Sequence, residues 1–313
     1  MNATCSEDDG KEATVQDFEF VAARTLAEAI SALGRTNGSG RVLAGGTDLI
    51  TQIKEGRRSP AVVIDIKEVP ELNVLECSAE QGLRLGAAVA CSTIAQHPLV
   101  QQLYPMLVYA CGLVGSVQIQ NRAGIGGNFC NAAPSADTAP PMMCLRARCV
   151  IAGPHGRREV AAADFFTGPG QTVLAPNEIL VEFLVPPPPP HSAGAYLRFI
   201  PREEMDIAVA GVGSFVVLDA AHHIIEEARI ALCAVAPTPV HAKAAEDFLR
   251  GKEVRLDVVQ EASQLAVQAA RPIDDVRGSI AYRQHLVNVL TQRTLSGALR
   301  SLHALAEASP TEG

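Results

Sequence analysis

The chain is 313 residues long, 48% hydrophobic and 19% charged, with a formal net charge of −8. That length allows two domains, and that apolar content is ample for packed cores. The acidic balance excludes a general nucleic-acid or anionic-membrane binder, and no uncharged run approaches the roughly 20 residues of a membrane span, so a soluble cytoplasmic protein is expected.

Residues 1–14 are polar and predict a disordered N-terminus. Across 18–33 the apolar positions Leu26, Ala29, Ile30 and Leu33 recur at helical spacing, and the pattern stops at Gly34. Residues 41–43 read as a short strand running into Ala44-Gly45-Gly46-Thr47-Asp48. There Thr47 predicts an N-cap for a helix with Leu49, Ile50 and Ile53 on one face. Residues 61–66 and 83–89 read as strands, the second followed by a helix near Ser92, and 103–113 as one helix. A second glycine segment, Ile125-Gly126-Gly127-Asn128, leads through Pro134-Ser135-Ala136-Asp137-Thr138 to a helix with Pro140 and Pro141 in its first turn.

Strands over 148–152 and Ile179–Val185 flank a Gly168-Pro169-Gly170 loop. The prolines of 186–190 are stiff and extended, and mark a boundary: one domain over 15–185, a linker over 186–191, a second domain over 192–305 and a tail over 306–313. In the second domain 208–218 and 228–235 predict a hairpin turning at 219–222, followed by helices over about 240–250, 257–270 and 279–305. Strands followed by helices mark an α+β half, not a repeated βαβ array.

None of the eight cysteines forms a C-x-x-C pair, and they sit beside aliphatic residues, which predicts buried reduced thiols. Cys130, inside the second glycine segment, is the one placed to reach a ligand. The histidines show neither H-x-x-x-H nor H-E-x-x-H spacing, so no metal site is expected; His222 and His223 are expected to be solvated in the hairpin turn.

The two glycine pairs each follow an apolar stretch and precede a helix start, where backbone N–H groups can converge on an anion. Neither is a G-x-x-x-x-G-K-[ST] loop, and no G-x-G-x-x-G opens a helix after a strand, which excludes a P-loop or Rossmann site by motif. The Thr47 hydroxyl and the Asn128 amide add possible partners for a phosphate. Asp48 and Asp137 have the wrong charge for that. They accept hydrogen bonds from a ribose or ribityl hydroxyl, an adenine amino group or a flavin N3–H, or else they cap the helices that follow. The pattern alone reaches a phosphate-containing cofactor between two loops.

At these residues the chain resembles the FAD-binding (medium) subunits of the molybdenum hydroxylases, the family of xanthine and carbon monoxide dehydrogenases. The likeness runs from about Val15 to Leu305. It is carried by Ala44-Gly45-Gly46-Thr47-Asp48-Leu49, by 118–128 through Pro134-Ser135-Ala136-Asp137-Thr138-Ala139-Pro140, by Thr167-Gly168-Pro169-Gly170-Gln171-Thr172, by 201–208 and by Asp274-Asp275-Val276-Arg277-Gly278-Ser279. The resemblance implies an α+β fold: a two-part vanillyl-alcohol-oxidase-like (PCMH-type) FAD-binding domain, then a small α+β C-terminal domain with an antiparallel sheet and helices.

It further implies non-covalent FAD. The diphosphate and ribityl chain would lie between Val42, Leu43, Ala44, Gly45, Gly46, Thr47, Asp48 and Leu49 on one side and Gly124, Ile125, Gly126, Gly127 and Asn128 on the other. Asp137 would bond the cofactor, Ile179 and Leu180 would contact it through backbone and apolar surface, and Arg198 would place a cation near the isoalloxazine. Some positions depart from the family. Gly124 and Gln120 stand where Thr and Arg are usual, and Val114 stands where xanthine dehydrogenases carry an aromatic residue over the flavin. Ile207 and Thr47-Asp48 differ from the carbon monoxide branch and argue against that substrate. The segment after Asn128 is too short for an extra four-cysteine iron–sulfur loop.

The implied role is an oxidoreductase subunit with no catalytic residue of its own. A [2Fe–2S] small subunit would deliver electrons, a molybdopterin large subunit would oxidise an N-heterocycle or aldehyde, and NAD⁺ or another acceptor would take the electrons, in a dimer of heterotrimers. Glu203-Glu204 and the C-terminal helices are candidate partner surfaces. Two other readings stay open: a scaffold subunit that has lost flavin, and a self-sufficient FAD oxidase.

Overall fold

The computed structural model describes residues 16–202 and 205–305. The N-terminal segment with Cys5, the tail over 306–313 and the Glu203-Glu204 pair lie outside the described residues.

Residues 19–65 build a small parallel sheet in which Val62–Asp65 runs between Glu19–Ala22 and Gly40–Leu43. The helix Leu26–Gly34 crosses between strands and buries Leu26, Ala29, Ala32 and Leu33 beside Ile64. Its start is fixed by Thr25, whose hydroxyl accepts from the Glu28 N–H at 3.2 Å, while the Glu28 carboxylate accepts from the Arg24 N–H at 2.8 Å. The helical pattern read from position 18 therefore begins only at Leu26. The residues before the cap are extended because they pair with Val62–Asp65.

A five-stranded antiparallel sheet follows, in the order Leu75–Ser78, Gly82–Gly86, Ile179–Val185, Arg148–Gly153, Gly156–Ala161. The helix expected over 103–113 is two, Pro98–Leu103 and Pro105–Gly112, broken at Tyr104 with φ −132° and ψ 50°. A residue before proline is pushed out of the helical region, and Tyr104 precedes Pro105. The Tyr104 hydroxyl donates to the Pro186 carbonyl at 3.0 Å. Pro187 passes against Gly82, where a Cβ would meet the Pro187 nitrogen at 2.8 Å. The start of the proline run is thus held against the sheet.

Beyond it, Ser192–Phe199, Ala210–Leu218, Ile225–Cys233 and Val240–His241 form an antiparallel meander. The long helix Ile280–Ser301, capped by Ser279, packs on this sheet together with Leu256–Ala266. The short helix Ala139–Cys144 is entirely buried, and its Cys144 thiol sits 3.4 Å from the Gly213 carbonyl of the meander. One apolar core accordingly runs from Leu85, Leu107, Phe129 and Phe183 to Tyr196, Phe215 and Cys233 across both halves of the chain.

His222 is not simply solvated. Its Nδ1 donates to the Leu302 carbonyl at 2.9 Å, which leaves Nε2 to accept from His191 Nδ1 at 2.8 Å. The described cysteines are all free thiols; Cys91, Cys111, Cys144, Cys149 and Cys233 are buried and Cys130 is exposed. No described helix is long and apolar enough to cross a membrane.

Candidate binding cleft

A cleft of about 590 Å³ takes its walls from the small sheet, the helix Ile125–Asn131, the strand Ile179–Val185 and the strand Ser192–Phe199. Both glycine segments face it. That volume is typical of a site for an organic cofactor.

The first segment turns sharply after Leu43. Gly46 has φ 78°, a conformation glycine adopts without strain. Gly45 lies so close to the second segment that a Cβ there would overlap the Arg122 carbonyl oxygen and come within 2.9 Å of the Ala123 Cα. Thr47 is not the cap it was expected to be. The helix Leu49–Lys54 starts one residue later, with Asp48 at the N-cap position and no capping bond from its side chain. Among the described residues, the N–H groups of Gly45, Gly46, Thr47, Asp48 and Leu49 find no protein acceptor.

The second segment is the first turn of the helix Ile125–Asn131. Gly126 donates to the Ala87 carbonyl at 2.9 Å, and a Cβ on it would sit 2.5 Å from the Ala87 Cβ. Gly127 differs. A Cβ there would meet nothing within 4 Å, and its N–H has no acceptor among the described residues. Asn128 receives the Thr138 hydroxyl on Oδ1 at 2.6 Å, which turns its amide NH₂ into the group left to donate.

Asp137 caps no helix, because Thr138 holds the N-cap position of Ala139–Cys144. It is 7% exposed, its Oδ1 accepts from the Tyr196 hydroxyl at 2.7 Å, and its Oδ2 is paired with Arg198 Nη1. Burial pushes this carboxyl above the usual carboxylate range, against the pull of Arg198 and Tyr196. The Arg198 side chain is 7% exposed, and its Nε has no partner among the described residues. Tyr196 also lies 3.4 Å from the Cys233 thiol. The two groups expected beside the cofactor are therefore held to each other in the wall.

The expected residues do not all line the cleft. Val42, Ala44, Gly45, Gly46, Thr47, Asp48 and Leu49 do, as do Gly124, Gly126, Gly127 and Asn128. So do Val114, Asp137, Ile179, Leu180 and Arg198. Leu43 and Ile125 do not: strand alternation turns Leu43 into a core with Ile53 and Val63, and Ile125 is fully buried. Val114 is joined by Ile119, Leu174, Met205 and Ile207, so the apolar wall is aliphatic. Arg41, Gln52 and Arg58 also line the cleft and were not anticipated. The available signal was a basic residue in the strand that feeds the first glycine loop.

Residues 16–188 match the family described as the FAD binding domain in molybdopterin dehydrogenase. Residues 195–298 match the CO dehydrogenase flavoprotein C-terminal domain. A xanthine dehydrogenase FAD-binding subunit of Escherichia coli O157:H7 is 33% identical, covering 90% of this chain and 97% of that protein. The nicotinate dehydrogenase FAD-subunit of Eubacterium barkeri is 31% identical over 87% and 93% respectively. Among solved structures, carbon monoxide dehydrogenase from Hydrogenophaga pseudoflava superposes with a TM-score of 0.87 at 32% identity, covering 91% of this chain and 98% of that one. Quinoline 2-oxidoreductase from Pseudomonas putida 86 superposes at 0.85 with 28% identity, covering 92% and 99%.

Proposed function

The chain belongs to the FAD-binding medium subunits of the xanthine dehydrogenase and carbon monoxide dehydrogenase family, and from that premise we propose that it relays electrons inside a molybdenum hydroxylase complex. One observation carries the reading. Two separate segments that line one cleft, Gly45 to Leu49 and Gly127, carry backbone N–H groups without a protein acceptor among the described residues. Such a nest suits a diphosphate, and the gap beside Gly127 leaves room for it.

FAD bound there supplies the redox chemistry, since it can exchange electrons singly or in pairs. The chain positions and tunes it. The two glycine segments hold the diphosphate, and the Asn128 amide adds a donor. Asp137 is fixed by Tyr196 and Arg198, yet each carboxylate oxygen keeps a lone pair for a ribityl hydroxyl. Arg198 retains unpartnered donors and a positive charge with which to stabilise charge on a reduced ring. Val114, Ile119, Leu174 and Ile207 present an aliphatic surface to the ring in the apolar part of the cleft. Nothing in this arrangement acts as acid or base on an organic substrate.

In this reading a [2Fe–2S] small subunit delivers the electrons, a molybdopterin large subunit oxidises the substrate, and NAD⁺ or another acceptor receives the electrons. The assembly is a cytoplasmic dimer of heterotrimers. The nicotinate and quinoline relatives support an N-heterocycle as substrate, with an aldehyde as the second choice, while Thr47, Asp48 and Ile207 in the cleft argue against carbon monoxide. Purified protein is expected to show flavin absorption and to release FAD on heating. A colourless protein that takes up none on titration with FAD overturns the proposal.

A further inference from the structure

Beside the glycine loops lies a polar alcove of about 490 Å³ lined by Ser39, Arg41, Gln52, Arg57, Arg58 and Ser59. Arg41, Gln52 and Arg58 line both spaces, so alcove and cleft share a wall. Three guanidinium groups gather here. Among the described residues only Arg57 has a carboxylate partner, Glu55.

The other two are held in place by neutral groups. Arg41 Nη1 donates to the carbonyls of Gly38 at 2.9 Å and Gly40 at 2.6 Å, and its buried Nε has no partner. Arg58 Nε donates to Gln52 Oε1 at 2.6 Å. Gln52 in turn reaches Asn131, on the helix that carries Gly127, at 3.4 Å. Burial and the Arg58 charge both push the Arg41 guanidinium down from the ordinary arginine range. Two like charges fixed side by side without a counter-ion oppose folding, and an anion between them removes that opposition.

We infer that Arg41 and Arg58 clamp the ADP half of FAD and make this chain select FAD over FMN and riboflavin. The inference rests on the flavin reading above. It assigns the ADP half because the alcove is cationic, is built from residues 39–60 alone, and adjoins the unpaired N–H groups after Gly45. The aliphatic wall of Val114, Leu174 and Ile207 suits the tricyclic ring instead. A guanidinium pairs with phosphate through two parallel N–H bonds and stacks on a flat base; beyond the flavin ring, FMN offers only one phosphate and no second base, and riboflavin offers neither.

The test titrates the full chain, stripped of flavin, with FAD, FMN and riboflavin at low and high salt. Arg58→Gln is expected to weaken FAD about 10- to 100-fold while FMN and riboflavin stay within about twofold. Arg58→Lys should recover part of the loss, and salt should weaken FAD binding to the wild type more steeply than to Arg58→Gln. An unchanged ratio of FAD to FMN affinity in Arg58→Gln overturns the inference. So does an equal loss of all three ligands with a lowered melting temperature, which would mark Arg58 as structural. A wild-type chain that binds none of the three fails the flavin reading itself, and the two failures are thereby told apart.

Discussion

In the first glycine segment the backbone demands both glycines: Gly45 touches the Arg122 carbonyl and Gly46 sits at φ 78°. In the second, Gly126 is pressed against Ala87, but Gly127 faces open space. Three of these four glycines therefore serve close approach or a turn; Gly127 serves neither, and in the proposed reading it leaves room for the diphosphate. As sequence the two pairs are alike. Chemistry of this kind is decided by what lies opposite each Cα.

The sharpest way to break that contrast is to place a side chain at each position. Gly45→Val should cost more than about 4 kcal/mol and yield little soluble protein, because two backbone segments must part. A soluble variant with a wild-type urea midpoint would remove the packing role. Next in size is Asp137→Ala, which leaves Arg198 and Tyr196 unpaired in a buried wall and should cost about 3–5 kcal/mol as well as weaken flavin binding. Asp137→Asn, which can still accept from Tyr196, should lose less; equal losses in the two variants would show that Tyr196 contributes nothing.

Gly127→Val should lower FAD affinity at least about 100-fold, roughly 2.7 kcal/mol, while the flavin-free protein melts within a few degrees of wild type. Gly127→Ala sharpens the point, since it should stabilise the flavin-free helix by about 0.5–1 kcal/mol and still impair binding. Unchanged flavin content in Gly127→Val would place the diphosphate elsewhere.

The smallest effect concerns Glu178, just before Ile179 in the cleft wall. The Arg158 guanidinium bonds both its carboxylate oxygens, at 2.8 and 2.7 Å, and holds its pKa below the usual range. A depressed carboxyl contributes stability above its unfolded value, about 4.3, and that contribution is lost as pH falls through the lower folded value. Both partners are partly exposed, so the contribution is under about 1 kcal/mol. Glu178→Gln should flatten this part of the stability–pH curve, and an unaltered curve would mean that the bridge is silent.

Burial decided which elements were legible from residue order. The inner strand Ile179–Val185 reads openly as a short, nearly continuous apolar run, and the helix Leu26–Gly34 because one face of it is apolar. The edge strand Gly156–Ala161 is mostly exposed and rich in charge, so pairing with its neighbour defines it and no apolar alternation announces it. Ser192–Phe199 passed unread directly after the proline run, yet it supplies Tyr196 and Arg198 to the site. The glycine segments and Asp137 were visible as motifs. Arg41 and Arg58 were not, because only the folded small sheet and Gln52 bring them together.

The buried helix Ala139–Cys144 works as a wedge driven between the two halves of the chain, with apolar contacts on both sides. Halves joined in this way share one apolar core, so drawing one away from the other would expose it to water. Met205 and Ile207 are exposed at the rim of the cleft that the flavin reading proposes as the site. If flavin binds there, its release rate is expected to respond to substitution of Met205 and Ile207.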